Sequence, residues 1–417
     1  MNSLPRGVEY GATGEPGDRR QNARMQRPHI CFVAPGMWPV FSGDRRIEAV
    51  GGAEVQQSFL VRELVRRRYP VSMICMDYGQ SDPCIVDGVT VHRMHAPEAG
   101  LPVVRFLHPR LTSLWSAMRR ADADIYYQRT SGALTGFVAA FSRLRHRLSV
   151  FAAASDADCD PAAPFIRFGR DRALYRWGLR HVSGIVVQSE RQREALARHY
   201  GRGATVVPSC YGHTGKPSHP GRIILWAGMI KQIKRPDLFI DLARRCPHYR
   251  FRLVGGGARD ESALFNRICR EATALPNVEM TGFVPFADVE GHFDDGSLLV
   301  NTSPTEGFPN TFLQAWSRGM PTVSLFDPDA RWQGHRVGEV VGSSDDMASC
   351  VRSLMNDEAR WRRISALSRK YFEAHHSVDH AVDIYEAVFD RLRAAASARI
   401  GQARDSNSSR PCQAGRK

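Results

Sequence analysis

The sequence predicts an α/β protein built of two doubly wound, Rossmann-like domains that face each other across a cleft. Three observations predict it. Between residues 28 and 397, short apolar runs alternate with amphipathic helical patterns, as parallel strands covered by helices require. A stretch rich in Gly, Pro and Ser, 208–221, interrupts that rhythm near the middle. The length, 417 residues, suits two domains better than one.

The elements follow in order. Residues 1–27 are rich in Gly, Pro and Arg and lack an apolar segment, so a disordered leader is expected and not a secretory signal. The first domain, 28–215, opens with a strand at 29–34, a helix at 53–68 and a strand at 71–76. Strands at 124–127, 148–153 and 185–188 and a helix at 132–141 continue it. The second domain, 216–378, restarts the alternation with strands at 222–227, 249–254, 277–281 and 298–301. Its helices at 236–246 and 309–318 each begin at a proline, whose fixed φ suits a first turn. One closing helix, 379–397, and a disordered tail, 398–417, complete the expectation.

Composition excludes several function classes. The chain carries 57 Lys+Arg against 43 Asp+Glu, net +14. The excess is uneven: residues 1–220 hold 30 basic and 19 acidic side chains, whereas 221–417 hold 27 and 24. Arginine supplies 52 of the 57, a compositional habit as much as a functional one, and no helix-turn-helix, RNA-recognition or zinc-finger pattern accompanies it, so no nucleic-acid partner is expected. No apolar run reaches the roughly eighteen residues of a membrane span. The nine cysteines form no CxxC pair and several sit in apolar stretches, which fits free thiols in a cytoplasmic protein. Residues 105–120 place Leu107, Leu111, Leu114, Trp115 and Met118 on one helical face among Arg105, Arg110, Arg119 and Arg120. Such a stripe either packs on a sheet or lies on an anionic membrane surface, here the inner face.

Three segments could carry chemistry. Gly51-Gly52-Ala53-Glu54 opens the first long helix, where paired glycines admit a ligand close to backbone and the helix start offers N–H groups. In the second domain, 226–237 follows the first strand and holds Lys231 and Lys234, two of only five lysines, beside Arg235. That cationic loop suits phosphoryl oxygens. The sharpest signal is 301–316. A strand ends at Asn301, a polar loop carries Glu306, and Pro309 starts a helix whose first-turn N–H groups, at Asn310 and Thr311, suit an anion. Gln314 lies one turn on, able to donate and accept. A carboxylate and an amide flanking such a helix can read the hydroxyls and phosphates of a sugar nucleotide.

These residues resemble the retaining glycosyltransferases of family 4, which have the GT-B fold. The resemblance runs from 29 to about 395 and is most specific in 305–316, which is similar to the family's E-x7-E region. Gly51–Glu54 resembles its first-domain glycine loop, Lys234 its donor-phosphate lysine, 207–209 its inter-domain connector and 255–257 its glycine turn. The segment Gly282-Phe-Val-Pro285, with Val284, resembles the loop against the base. The resemblance implies that Glu306 binds donor-sugar hydroxyls and Gln314 the ribose. Gly307, Phe308, Asn310 and Thr311 would hold the diphosphate with Lys234. It implies a nucleotide-sugar donor, a glycan, lipid-linked or small-molecule acceptor, and no metal or other cofactor.

Three departures stand out. The usual second glutamate is Gln314. The arginine that commonly follows Gly228 is Met229, which leaves Lys231 or Arg235 as neighbouring cations. The first-domain histidine has no counterpart; that region reads Ala153-Ala154-Ser155-Asp156, so Ser155 and Asp156 are expected nearest the sugar, Asp156 in a catalytic role. Asp156-Ala-Asp158 has the spacing of a metal motif but lies in the first domain. A non-catalytic sugar-nucleotide-binding scaffold and a nucleotide-sugar epimerase of the same fold are the alternatives.

Overall fold

The structure, a computed structural model, describes residues 27–44, 51–101, 106–162, 166–212, 215–221, 223–258, 260–306 and 308–408. Two parallel sheets organise them. The first contains β1 (Ile30–Val33), β2 (Val71–Cys75), β3 (Cys84–Val86), β4 (Val89–Arg93), β5 (Ile125–Arg129), β6 (Leu148–Ala152), β7 (Gly184–Val187) and β8 (Thr205–Val206). Their order is β3-β4-β2-β1-β5-β6-β7-β8, parallel throughout except for the β3–β4 hairpin. The strands are apolar because helices cover both faces: all four residues of β1 are at most 1% exposed.

The second sheet contains β9 (Ile223–Ala227), β10 (Arg250–Val254), β11 (Val278–Gly282), β12 (Leu298–Asn301) and β13 (Thr322–Ser324). A small hairpin, β14 (Arg331–Trp332) with β15 (His335–Arg336), intervenes before the edge strand β16 (Glu339–Val340). The order is β11-β10-β9-β12-β13-β16. In each sheet the first strand is central, with β1 between β2 and β5 and β9 between β10 and β12. The chain therefore reverses its direction of winding at β1 and β9, and a crevice opens beyond their carboxyl ends. The loops after β1, β9 and β12 carry Gly51–Gly52, Lys234 and Glu306 to that crevice.

The chain passes between the sheets twice, and the two crossings are tied together. Tyr211 and Ser377 form a parallel bridge, and the Tyr211 N–H donates to the His376 carbonyl at 2.9 Å. Past this point the helix Val378–Ser408 returns to the first domain. Its Ala381, Val382, Tyr385, Val388 and Phe389 join the core that holds Ile30 and Phe32. Arg67, on the helix Gly52–Arg66's C-terminal cap, secures it through Asp383 at 2.6 Å and Glu386 at 3.0 Å.

Two expectations are corrected here. The closing helix does not stop at 397 but continues to Ser408, so most of the segment expected as a disordered tail up to that residue is helical; 409–417 and the leader 1–26 lie outside the described residues. The stripe in 105–120 is not one helix: a distorted turn, Phe106–Leu111, precedes the helix Thr112–Ala121. Leu114, Ala117, Met118 and Ala121 are buried against Val33, Ile74 and Phe141, so the apolar face is part of the core and only Leu107, 60% exposed, points out. Arg105 lies outside the described residues, and Arg120 pairs with Asp82 at 3.0 Å. Among the described residues no helix is long and apolar enough to cross a membrane. The eight described cysteines are free.

Candidate functional site

A cavity of about 880 Å³ lies between the two sheets and is lined from both. Close backbone approach shapes its floor on the second-domain side. Gly255, at φ +156°, lies so near Gly228 that a Cβ there would drive into the Gly228 carbonyl. That contact holds the loop after β9 against the loop after β10, and Gly228 N donates to Val254 O at 3.0 Å.

Lys234 and Glu306 meet in this cavity. The lysine Nζ donates to Glu306 Oε1 at 2.8 Å, joining positions 72 residues apart. The Ser303 hydroxyl donates to the same oxygen at 2.7 Å. Beneath them, Thr302 donates to the Lys234 carbonyl at 2.6 Å and accepts from the Trp226 indole at 2.9 Å. The ammonium and carboxylate are thus fixed by buried polar neighbours on β9 and the loop after β12. Among the described residues nothing bonds Glu306 Oε2, which leaves that oxygen for a ligand hydroxyl.

Gln314 also lines the cavity, and its amide is oriented from behind. Its Nε2 donates to Glu290 Oε1 at 3.1 Å. Glu290 in turn bonds Arg318 at 2.5 Å and the Tyr211 hydroxyl, while Arg318, fully buried, also bonds Asp294 at 2.7 Å. Burial, reinforced by the Glu290 carboxylate, raises the Tyr211 phenol well above its ordinary range. With Nε2 engaged, the Gln314 carbonyl is the group free to accept from a ligand.

Phe308, Asn310, Thr311, Val284 and Gly52 line the same cavity. Asn310 does more than border it: its amide donates to the Gly52 carbonyl at 3.2 Å and accepts from Gln56 Nε2 at 2.9 Å, across the cleft. Gln56 also holds the connector, donating to Cys210 O at 2.7 Å and accepting from Cys210 N at 2.8 Å. Gly51 is the N-cap of the helix Gly52–Arg66 and stands just outside the lining, and Gly307 lies outside the described residues.

Four expected residues are elsewhere. Asp156 and Ser155 do not line the cavity; Ala154 does. The reason is Asp158, whose buried carboxylate accepts from Ala154 N at 2.7 Å and Ser155 N at 3.1 Å and rolls the chain into a turn away from the cleft. Asp156 is then held by Gln192 at 3.0 Å and by Arg191. Lys231 caps the short turn Gln232–Lys234 outside the lining, and Arg235 is bound to Asp237 at 2.8 Å. Met229 lines the cavity and is 43% exposed.

Sequence reasoning missed four residues of the site and of the crossings between the sheets. Gln56 interrupts the apolar stripe of its helix, a polar side chain where burial demands a partner. Arg129 closes the apolar strand β5, and Gln188 follows β7; both line the cavity. His376 lies in the second crossing, fully buried, with Nδ1 donating to Ser209 O at 2.6 Å and its ring stacked 5.0 Å from Phe308. Burial pushes its pKa down to about 4, so the imidazole is neutral.

Two family descriptions match the chain: the glycosyl transferase 4-like domain over residues 51–212 and glycosyl transferases group 1 over 221–357. A curated relative, lipopolysaccharide 1,6-galactosyltransferase of Salmonella typhimurium, is 27% identical over 150 residues, 34% of this chain and 41% of that protein, so the match spans less than half of the relative. The solved structure of Anabaena Alr3699/HepE in complex with UDP and glucose superposes with a TM-score of 0.65 at 16% identity, covering 87% of this chain and 99% of that one. Sucrose-phosphate synthase from Thermosynechococcus elongatus superposes at 0.69 and 16% identity, covering 88% and 100%.

Proposed function

Because the chain belongs to the family 4-like glycosyltransferases of GT-B fold, with its two matched domains spanning most of the sequence, we propose that it moves a sugar from a nucleotide-sugar donor to an acceptor hydroxyl with retention of anomeric configuration. The observation that carries this reading is the Lys234–Glu306 pair, anchored at 2.8 Å inside the inter-domain cavity. A cation for phosphoryl oxygens and a carboxylate for sugar hydroxyls stand side by side, at the junction a sugar–phosphate bond would occupy.

In this scheme the base rests against Phe283 and Val284, the ribose meets the Gln314 carbonyl, and the diphosphate lies along Phe308, Asn310 and Thr311 beside Lys234. Glu306 accepts from hexose hydroxyls. The bond from C1 to the phosphate oxygen breaks while the acceptor oxygen bonds C1 on the same face, and the acceptor proton passes to the departing phosphate. The protein's part is to stabilise charge on that phosphate, which an ammonium and N–H dipoles do without a resident metal. We propose a UDP-hexose as donor, since HepE is solved with UDP and glucose and the Salmonella relative is a galactosyltransferase. A glycan or lipid-linked glycan is the proposed acceptor.

Incubation with UDP-, GDP-, ADP- and TDP-sugars tests this. One donor is expected to raise the melting temperature, because a ligand that binds only the folded state stabilises it. That donor should also be slowly hydrolysed without acceptor, and proton NMR of the first-formed free sugar should show the donor's anomeric configuration. Release of the donor unchanged would leave a binding scaffold, and an isomerised sugar nucleotide would make the protein an epimerase.

A further inference from the structure

The first-domain wall carries a charge that the scheme above does not use. Arg129, at the carboxyl end of β5, is 8% exposed and yet lines the cavity. Its surroundings are neutral. The hydroxyls of Tyr127 and Tyr385, bonded to each other at 3.1 Å, and Cys210 lie around it. Assigned from its hydrogen-bonding neighbours, the Gln188 amide nitrogen donates to Ala154 O at 3.0 Å and its oxygen accepts from Arg129 Nη2 at 2.7 Å. The Arg129 Nε has no partner, and among the described residues no carboxylate pairs with the guanidinium.

A guanidinium withdrawn from water without a counter-charge is strongly unfavourable, and such groups are rarely buried unless an anion completes them. The cavity supplies the place for one. Among the described residues its charged lining residues are Arg129, Lys234 and Glu306, and the last two already neutralise each other. One unbalanced positive charge therefore faces the cleft, and it comes from the first domain. Among the described residues the second domain offers no equivalent: Met229 lines the cavity beside Gly228, and Arg235 is bound to Asp237. Planar N–H donors match phosphoryl oxygens in pairs.

We propose that Arg129 is the first-domain receptor for the phosphoryl oxygens of the donor's leaving diphosphate. The inference rests on the donor reading of the cavity and deepens it. Lys234 approaches the diphosphate from one domain and Arg129 from the other, so the anion is fully compensated only when both walls contribute. Gln188 and Tyr127 hold part of the guanidinium and leave its other terminal N–H groups to the ligand.

Calorimetry and thermal melting of Arg129→Met and Arg129→Lys test it. The probes are the tightest binder among UDP, GDP, ADP and TDP, together with its uncharged nucleoside. In Arg129→Met the diphosphate should bind at least tenfold more weakly while the nucleoside binds as in wild type, and Arg129→Lys should recover part of the loss. The ligand-free Met variant should melt at or above the wild-type temperature, because an uncompensated buried charge has been removed. Unchanged diphosphate affinity, or equal loss of diphosphate and nucleoside binding with a lowered melting temperature, would overturn the proposal. Inorganic phosphate titrated into nucleotide-saturated protein separates the two sources of a phosphoryl group. A phosphate site lost in Arg129→Met with nucleotide affinity intact would put the anion on the acceptor and overturn the donor assignment. Failure of the wild type to bind any of the four nucleotides would overturn this inference and the donor reading together. Wild-type binding that Arg129→Met leaves intact would remove the arginine's role alone.

Discussion

The two walls of the cleft are built on opposite principles. The second-domain wall is charged and self-compensated: Lys234 and Glu306 satisfy each other, with Ser303 and Thr302 behind them. The first-domain wall is made of amides, Gln56 and Gln188, that reach back to the connector, and among the described residues its one charge, Arg129, has no counter-ion. The difference separates two tasks. A paired wall is stable when empty and exchanges partners when a ligand arrives, whereas an amide wall fixes the angle between the domains through hydrogen bonds that cannot be left unmade.

Substitutions can break or sharpen that contrast. The largest effect is expected for Glu306→Ala, which should lower the transfer rate about 10²–10³-fold, as loss of one well-placed active-site contact does, with an unchanged melting temperature. A fall in stability of similar size would mean that the second wall is structural after all. Next comes acid sensitivity at the second crossing between the sheets. Burial lowers His376 from its ordinary 6.5 to about 4, so the unfolded chain binds this proton more readily than the folded one. Stability from this group is complete above about pH 6.5 and is lost as pH falls toward 4, by up to ~3 kcal/mol. Urea melts of wild type and His376→Gln across that range should converge in slope if another group is responsible and diverge if the histidine is.

Gln56→Ala should cost about 2 kcal/mol in urea denaturation, since it strands the buried N–H and carbonyl of Cys210. Donor affinity should change less than stability, the reverse of the Glu306 variant. The smallest shift is expected for Lys234→Ala, about tenfold in nucleoside diphosphate affinity, because Glu306 already offsets part of that charge. If calorimetry shows no change, the phosphate contact lies on another group.

The sheets were legible because both-face burial writes itself as apolar runs: β12 was expected at 298–301 and is Leu298–Asn301. The second-domain site was legible because its elements are local, a strand, a loop and a helix start in sixteen residues. What was not legible depended on partners far away in sequence. Asp156 lies in the segment expected nearest the sugar, and only the neighbouring Asp158, collecting backbone N–H groups, turns it from the cleft. Gln56 meets Cys210 at a separation of 154 residues, and nothing near either one announces it. The amphipathic stripe at 105–120 had two readings that periodicity cannot separate, and packing against Phe141 and Ile74 selected the core. Gln314 was read alone, whereas Glu290 behind it sets which end of its amide meets a ligand.

The return of the final helix has a consequence for the birth of the molecule. Val382, Tyr385 and Phe389 fill the same core as Ile30 and Phe32, so the first domain lacks part of its interior until Phe389 has left the ribosome. The later-synthesised half can close its own sheet sooner. Assembly of the first domain should therefore finish after the second has closed, and truncations that remove the helix Val378–Ser408 should injure the sheet that starts at Ile30.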